Sequence, residues 1–291
     1  MKTISFMGRN IRRYVREPGT VALSFLSVFV VFGLYALVLS QVQISGAQNM
    51  MGQQLKDMNL VIMHWVLGGL LCIPAVSVPL TILYFKVYDV VDFIQDDFFV
   101  TPAKRVNYIL GYALSAWICG FFMTLVTLFL GELYIVANGG QLLSIITLMK
   151  VILIIAIAIL SFTGFSFFVI MFLKSKSSLT LVTTIFNTLI GFLAGLYVPI
   201  GSLSDGIEFV FKIFPLAQIA ALLRQVIMAD VIKDVFRNIP NKQLVEFKQY
   251  YGIDIIISNH QLSATEIIII SIVFGTVFYL SLIAIVNHRK K

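Results

Sequence analysis

Six stretches of this chain are almost entirely apolar, and each is about as long as a helix that crosses a bilayer core, roughly 20 residues. They occupy residues 20–39, 60–84, 106–130, 144–173, 179–200 and 264–286. No other feature restricts the fold as much. A backbone in lipid must satisfy its own hydrogen bonds, and apolar runs of this length do so as helices. Composition agrees. Of the 291 residues, 59% are hydrophobic and 12% are charged, about half the charged share of a soluble domain. The expected fold is an all-α polytopic membrane protein, one transmembrane domain over residues 1–291 with six transmembrane helices. Pro74 and Pro79 predict a kink in the second run. The long fourth run, with Lys150 near its start, predicts a tilted helix. The first run is longer than a signal-peptide core and lacks a small-residue cleavage site after it, so a retained helix is expected.

The 21 Lys and Arg residues divide unevenly between the two sides of such a bundle. Thirteen fall on the side of the N-terminus, the 85–105 and 174–178 loops and the C-terminus. The other side, counting Lys150, has eight, most of them in one long segment. Basic residues collect on the cytoplasmic side. The count therefore predicts a multi-pass plasma-membrane protein with both termini cytoplasmic. The formal charge of +7 does not indicate nucleic-acid binding, because the charges sit at the ends of apolar runs and form no basic stripe interleaved with aromatics. Cys72 and Cys119 both lie in apolar runs and read as small buried hydrophobes, with no disulfide framework or zinc set. Their sparseness fits a bacterial plasma membrane.

Several chemistries are missing. No Gly-x-x-x-x-Gly-Lys-Ser/Thr phosphate loop occurs, so the chain does not bind ATP in that manner. His64, His260 and His288 are far apart and predicted at different membrane edges, which excludes a shared metal site. No catalytic or metal-ligating set emerges. The six runs are nearly free of ionisable residues, with Glu132 and Lys150 at predicted outer edges. Proton-coupled transporters place such groups at mid-membrane depth. A transporter built this way draws its energy from elsewhere, most simply from a cytoplasmic ATPase.

Residues 5–17 have the spacing of an amphipathic helix, with Ile4, Phe6, Met7, Ile11, Tyr14 and Val15 set against Arg9, Arg12, Arg13 and Arg16. Such a helix lies along the inner surface with its apolar face in lipid, and Pro18-Gly19 turns the chain into the membrane. On the outer side, residues 201–263 carry two helical runs, one ending at Pro215 and one over 216–236. They are expected to dip into or lie on the outer leaflet. Residues 238–261 are expected to form a small exposed cap of turns, with a strand at 253–257.

The 85–105 loop is the cytoplasmic loop long enough to dock a partner. Asp89, Asp92 and Asp96 recur at spacings of three and four, so on one helix they share a face. An acidic stripe opposes the positive-inside bias. It reads either as a docking surface for a basic partner or as a solvated face paired with Lys86 and Arg105.

Three places resemble one family, the type 2 ABC exporter permeases. Arg12-Arg13-Tyr14-Val15-Arg16-Glu17-Pro18 is similar to the interfacial connecting helix before the first span. Asp96-Asp97-Phe98-Phe99-Val100-Thr101-Pro102-Ala103-Lys104-Arg105 is similar to the coupling-helix stretch before the third span. Val198-Pro199-Ile200 through Phe214-Pro215-Leu216 to Arg224 is similar to the pattern that precedes short re-entrant helices. The resemblance implies a half-transporter. Two permeases, expected to be identical, would pair in the lipid bilayer and bind two copies of a separate ATPase subunit, which would hold the ATP and Mg. The docking residues would be Asp89, Asp92, Asp96, Asp97, Phe98, Phe99, Thr101, Pro102 and Arg105. Arg12, Arg13, Arg16 and Glu17 would belong to the connecting helix, and Pro199, Pro215 and Arg224 to the re-entrant region. The leading function is ATP-driven export of an amphipathic or hydrophobic compound, such as a drug, a peptide or toxin, or a lipid-like product. The alternatives are a polysaccharide or cell-wall polymer exporter of the same family and a non-transport sensor or assembly module. The long outer segment departs from the family pattern and leaves the substrate open.

Overall fold

The structure, a computed structural model, describes residues 2–35, 39–100 and 104–288. Helix α1 (Lys2–Arg16) meets α2 (Pro18–Leu34) at 76°. α3 (Ser40–Met51) follows, and then α4 (Met58–Leu70) and α5 (Cys72–Val91) run on as one apolar element of 34 residues. The short α6 (Ile94–Phe99) leads into α7 (Arg105–Ala137), α8 (Ile145–Ile170) and α9 (Lys176–Leu193). The polar segment then folds as α10 (Asp205–Ile213), α11 (Pro215–Ile227), α12 (Ala229–Val235), α13 (Asn241–Tyr250) and an antiparallel two-residue pair, β1 (Ile256–Ile257) with β2 (His260–Gln261). α14 (Ala264–His288) closes the described chain.

Among the described residues five helices are long and apolar enough to cross a membrane, Met58–Val91, α7, α8, α9 and Ala264–Val286 within α14, and the number rises to seven if the bent pairs α1–α2 and α10–α11 each count as one span. Each of the five covers most of one expected run. The run at 20–39 forms α2 over its described part, and its residues 36–38 lie outside the described residues. The bundle is built around α5, which packs against α7, α8 and α9, while α14 packs along α8. The α5–α7 contact is close because Gly120 has no side chain: a Cβ there would stand 2.8 Å from the Pro79 ring.

Where helices end differs from expectation, for local reasons. The second run divides at Leu71 rather than bending at the prolines themselves. Pro74 has no N–H to give to the carbonyl four residues back, so the ladder opens at Leu70–Leu71. The fifth helix stops at Leu193, well before residue 200. Gly195 takes a left-handed φ of 59°, and the amides of Gly195 and Leu196 turn back to the Phe192 and Gly191 carbonyls at 2.8 and 3.0 Å. That pattern is a glycine-terminated C-cap, and it favours glycine because a Cβ is strained there.

The 201–263 segment also departs from the sequence reading. The 216–236 run is two helices, divided at Met228. α10 has no buried residue, whereas α11 turns by 80° at Pro215 and inserts between α4, α8 and α14. Every side chain from Pro215 to Arg224 is buried. Residues 238–261 are more than a cap of turns, and the strand expected at 253–257 is confined to Ile256–Ile257. They form α13 and the β pair over a core of Phe247, Tyr251, Ile253 and Ile255. This cap is bolted to the bundle. The Trp65 indole donates to the Tyr251 carbonyl at 2.7 Å, and the Tyr251 hydroxyl donates to the Gln43 carbonyl at 3.0 Å. Burial pushes that hydroxyl well above the usual tyrosine range, so it remains a neutral donor.

Candidate functional site

The expected docking residues lie at the end of the bundle where α1, α5, α6 and α7 converge. The acidic stripe does not survive as one helix face. α5 ends at Val91, and Phe93 adopts a left-handed φ of 59°. The chain therefore turns before α6 begins, and the i, i+3, i+7 geometry is lost.

Asp89 is fully buried and is withdrawn from any docking surface. Its Oδ2 and Oδ1 accept from Arg9 Nη1 and Nη2, both at 2.8 Å, and Oδ1 also accepts from Arg13 Nη1 at 3.1 Å. The Tyr112 hydroxyl donates to Oδ2. A paired guanidinium–carboxylate fork is among the stronger and more directional polar contacts. Here it fastens α1 to α5 and α7. Pairing with Lys86 and Arg105 is the alternative to docking that the sequence leaves open. The observed partners are instead about 80 residues away in the chain, and nothing local announces them.

Aromatic packing completes the joint. Phe6 lies edge-on to Phe98, Tyr108 and Tyr112 with centroids at 5.1, 5.1 and 4.9 Å. Gly111 makes room for it, since a Cβ there would come within 2.6 Å of the Phe6 ring. The Phe98 ring stacks on Tyr108 at 5.4 Å, and the Phe98 carbonyl accepts from the Tyr108 hydroxyl at 2.7 Å. Arg9 lies over the Phe6 and Phe98 rings at 5.1 and 5.0 Å, and Arg13 over Phe85 at 4.3 Å. Such contacts add attraction between a cation and the negative ring face. Asn10, also buried, donates to Ser115 Oγ at 3.3 Å. The inward face of α1 is thus Phe6, Asn10 and Tyr14 with two arginines, packed on protein. Ile4 and Val15 are the apolar residues that α1 leaves outside.

The remaining predicted residues are distributed around this joint. Arg12 and Arg16 are exposed. Glu17 pairs with Arg13 at 3.6 Å and accepts from the Thr20 hydroxyl at 3.2 Å. Asp92 is exposed and pairs with Lys176 at 2.8 Å. Asp96 and Asp97 project from the first turn of α6, both exposed, where the helix dipole favours negative charge. Phe99 closes α6 and Arg105 opens α7. Thr101 and Pro102 lie outside the described residues. Two exposed apolar residues flank α6, Phe93 at 75% and Val100 at 86% exposure. The sequence reading passed over them, although an apolar residue beside a helix rich in Asp is a usable signal.

Pro199, Pro215 and Arg224 lie away from this joint. Pro215 starts α11 and Pro199 precedes a turn, its carbonyl accepting from Ser202 Oγ at 2.7 Å. Arg224 is fully buried among backbone carbonyls. Its Nε donates to Trp65 O at 3.2 Å, and its Nη2 to Ala194 O at 2.8 Å and Gly195 O at 3.0 Å. The guanidinium also lies over the Trp65 ring at 4.6 Å. It caps the negative end of α9 where the glycine turn leaves carbonyls unpaired. Gly68 and Gly69 make its slot, a Cβ at either standing 2.7 or 2.8 Å from the Arg224 side chain. That Gly-Gly pair was the signal available in the sequence, since small residues on a membrane helix mark a close approach.

Among the described residues no group of His, Cys, Asp or Glu could hold a metal ion. The joint offers binding and mechanical connection, a bundle of apolar helices with a short element tied to its end. Residues 95–286, from α6 to near the end of α14, match the family model of the ABC-2 family transporter proteins. That is well over half of the chain, and the chain belongs to this family. It is a permease subunit of an ABC exporter, the membrane component of a transport machine that works with an ABC ATPase subunit. No curated protein and no solved structure matches the chain.

Proposed function

We propose that two copies of this chain pair in the plasma membrane with both termini in the cytoplasm, and that each engages one ATPase subunit to drive an amphipathic or hydrophobic compound outward. One observation carries the docking assignment. α6 presents Asp96 and Asp97 to solvent between the exposed Phe93 and Val100, while its other side is held by Phe6, Tyr108 and Arg9. A surface with an acidic centre and apolar flanks suits a partner that presents basic groups between apolar contacts. Movement imposed on α6 passes directly to α1 and α7.

Pairing is supported by α9. Thr180, Thr184, Asn187 and Thr188 are all exposed along it. Polar side chains on a spanning helix face a partner helix or water rather than lipid. The exposed face of α14, by contrast, carries Ile269, Ile272, Val273, Val277 and Leu280, which suits acyl chains. A groove of about 350 Å³ lies between α2, α5 and α9, lined by Thr20, Ser24, Ser77, Thr81, Tyr84 and Asn187 among others. Beside a second copy it would become an uncharged, hydroxyl-rich passage, with Glu17 at one end.

The test is the double variant Asp96→Ala/Asp97→Ala in vesicles holding the permease and its ATPase. Export should fall at least tenfold while ATP hydrolysis continues, and less ATPase should co-purify with the tagged chain. Wild-type coupling in that variant would remove α6 as the docking element.

A further inference from the structure

A cavity of about 390 Å³ opens beside the α6 joint, between α5, α7, the end of α8 and the end of α14. It is separate from the α2–α5–α9 groove. Its charged lining is Lys86, Arg105 and Lys174, with no Asp or Glu among the lining residues. Asp89 is buried beneath Arg9 and Arg13, Asp92 pairs with Lys176, and Asp96 and Asp97 follow the lining residue Gln95 on α6, exposed. The deeper wall is apolar, with Ile109, Phe167, Met171 and Val286. Lys86 donates to the Met171 carbonyl at 3.4 Å. An ammonium has three donors and a guanidinium five, so the three cations together can serve a phosphate as well as the protein.

We propose that this cavity binds an anionic phospholipid, its phosphate held by Lys86, Arg105 and Lys174 and the start of an acyl chain against Phe167, Met171 and Val286. The volume lies within the range of small-molecule sites. Basic pockets between membrane helices near the cytoplasmic face are suited to anionic headgroups. Gln95 of α6 and Tyr108, which donates to the Phe98 carbonyl, also line the cavity. A bound lipid therefore stiffens the element on which the proposed docking rests. The site deepens that reading in its regulation, yet binding itself requires only this chain.

The test uses the purified full-length chain, delipidated in mild detergent and titrated with phosphatidylglycerol or phosphatidylcholine. Retained lipid is counted by native mass spectrometry. The expected result is one phosphatidylglycerol per chain at concentrations where phosphatidylcholine is not retained. Lys86→Gln/Lys174→Gln should weaken retention at least tenfold. Ile109→Trp, which narrows the cavity at its apolar wall and keeps every charge, should do the same, while Arg12→Gln/Arg16→Gln on the exposed face of α1 should leave it unchanged. Each variant is compared at equal gel-filtration profile. Equal retention of the two lipids, or full retention in the Ile109→Trp protein, would overturn the proposal. Displacement of the lipid by millimolar inorganic phosphate would overturn it too, because the site would then belong to a free anion. Failure of the wild-type chain to co-purify an ATPase would count against the docking reading and leave the lipid count untouched.

Discussion

Two arginine-held joints stand at opposite ends of the Met58–Val91 helix, some 24 residues or about 36 Å apart, and they are made differently. At the α6 end, Arg9 and Arg13 reach in from a surface helix to a buried carboxylate, their side chains 32% and 29% exposed. At the other end, Arg224 has no carboxylate at all. It is wholly enclosed: its Nε and Nη2 donate to carbonyls of α4 and of the end of α9, while its Nη1 is buried with no hydrogen-bond partner. A charge pair partly open to water can be re-formed with a different partner at modest cost, because solvent screens both states. A guanidinium that serves as the cap of a helix end cannot leave without stranding carbonyls in an apolar core. The α6 end is built to move, and the end carrying α11 and α13 is built to stay.

The largest expected effect follows from Arg224→Ala. It strands the carbonyls of Trp65, Ala194 and Gly195, each worth about 1–3 kcal/mol when left unpaired, and opens a void that costs a further 2–5 kcal/mol or so. That sum rivals the whole stability of a typical domain, so little monodisperse protein should be recovered in detergent. Arg224→Lys should rescue only in part, since one ammonium cannot span both helices. Recovery of Arg224→Ala with a melting temperature near wild type would collapse the distinction between the two ends.

Asp89→Ala comes next. Loss of one member of a buried ion pair costs about 3–5 kcal/mol, and the partial exposure of both arginines puts this case at the lower end. The protein should still fold, with α1 loosened: hydrogen exchange over residues 2–16 should accelerate while residues 215–227 stay protected. Raising salt from 0.05 to 0.5 M should shrink the gap between variant and wild type, as expected for a screened pair. Equal acceleration in both regions would mean that the two joints are one cooperative unit. Gly111→Ala should act on the same joint through packing alone. Its Cβ displaces Phe6, which predicts a loss of about 1–3 kcal/mol, faster exchange in α1 and no salt dependence.

How much of this could be read beforehand divides along the same line. The apolar runs at 60–84, 106–130, 144–173, 179–200 and 264–286 were legible because a span is a local property of twenty residues. The Asp residues of the 85–105 loop were visible as well, but their partnership was not. Asp89 finds Arg9 and Arg13 across about 80 residues, and a left-handed Phe93 splits the stripe that periodicity had drawn. Pro199, Pro215 and Arg224 were singled out only as a pattern. What Arg224 does depends on three groups, Trp65, Gly68-Gly69 and the Gly195 turn, each of which has an ordinary local explanation. The cap at 238–261 was legible without its helix and its core, for a similar reason. Its polar residues dominate by number, while Phe247, Tyr251 and Ile253 close a core only once α3 and α4 are placed beside them.

The smallest expected effect is the sharpest for function. Asp92 and Lys176 form an ion pair as short as the one at Asp89, 2.8 Å, but with 43% and 51% of their side chains exposed. Exposed pairs contribute about 0–1 kcal/mol. Asp92→Asn should therefore leave the melting temperature and the exchange of α1 unchanged within error. If Asp92 belongs to the docking surface with Asp96 and Asp97, the same variant should still weaken ATPase co-purification severalfold, an effect without a stability component. If instead Asp92→Asn destabilises α1 as Asp89→Ala does, then distance and not burial governs these pairs, and the contrast between a movable and a fixed end loses its physical basis.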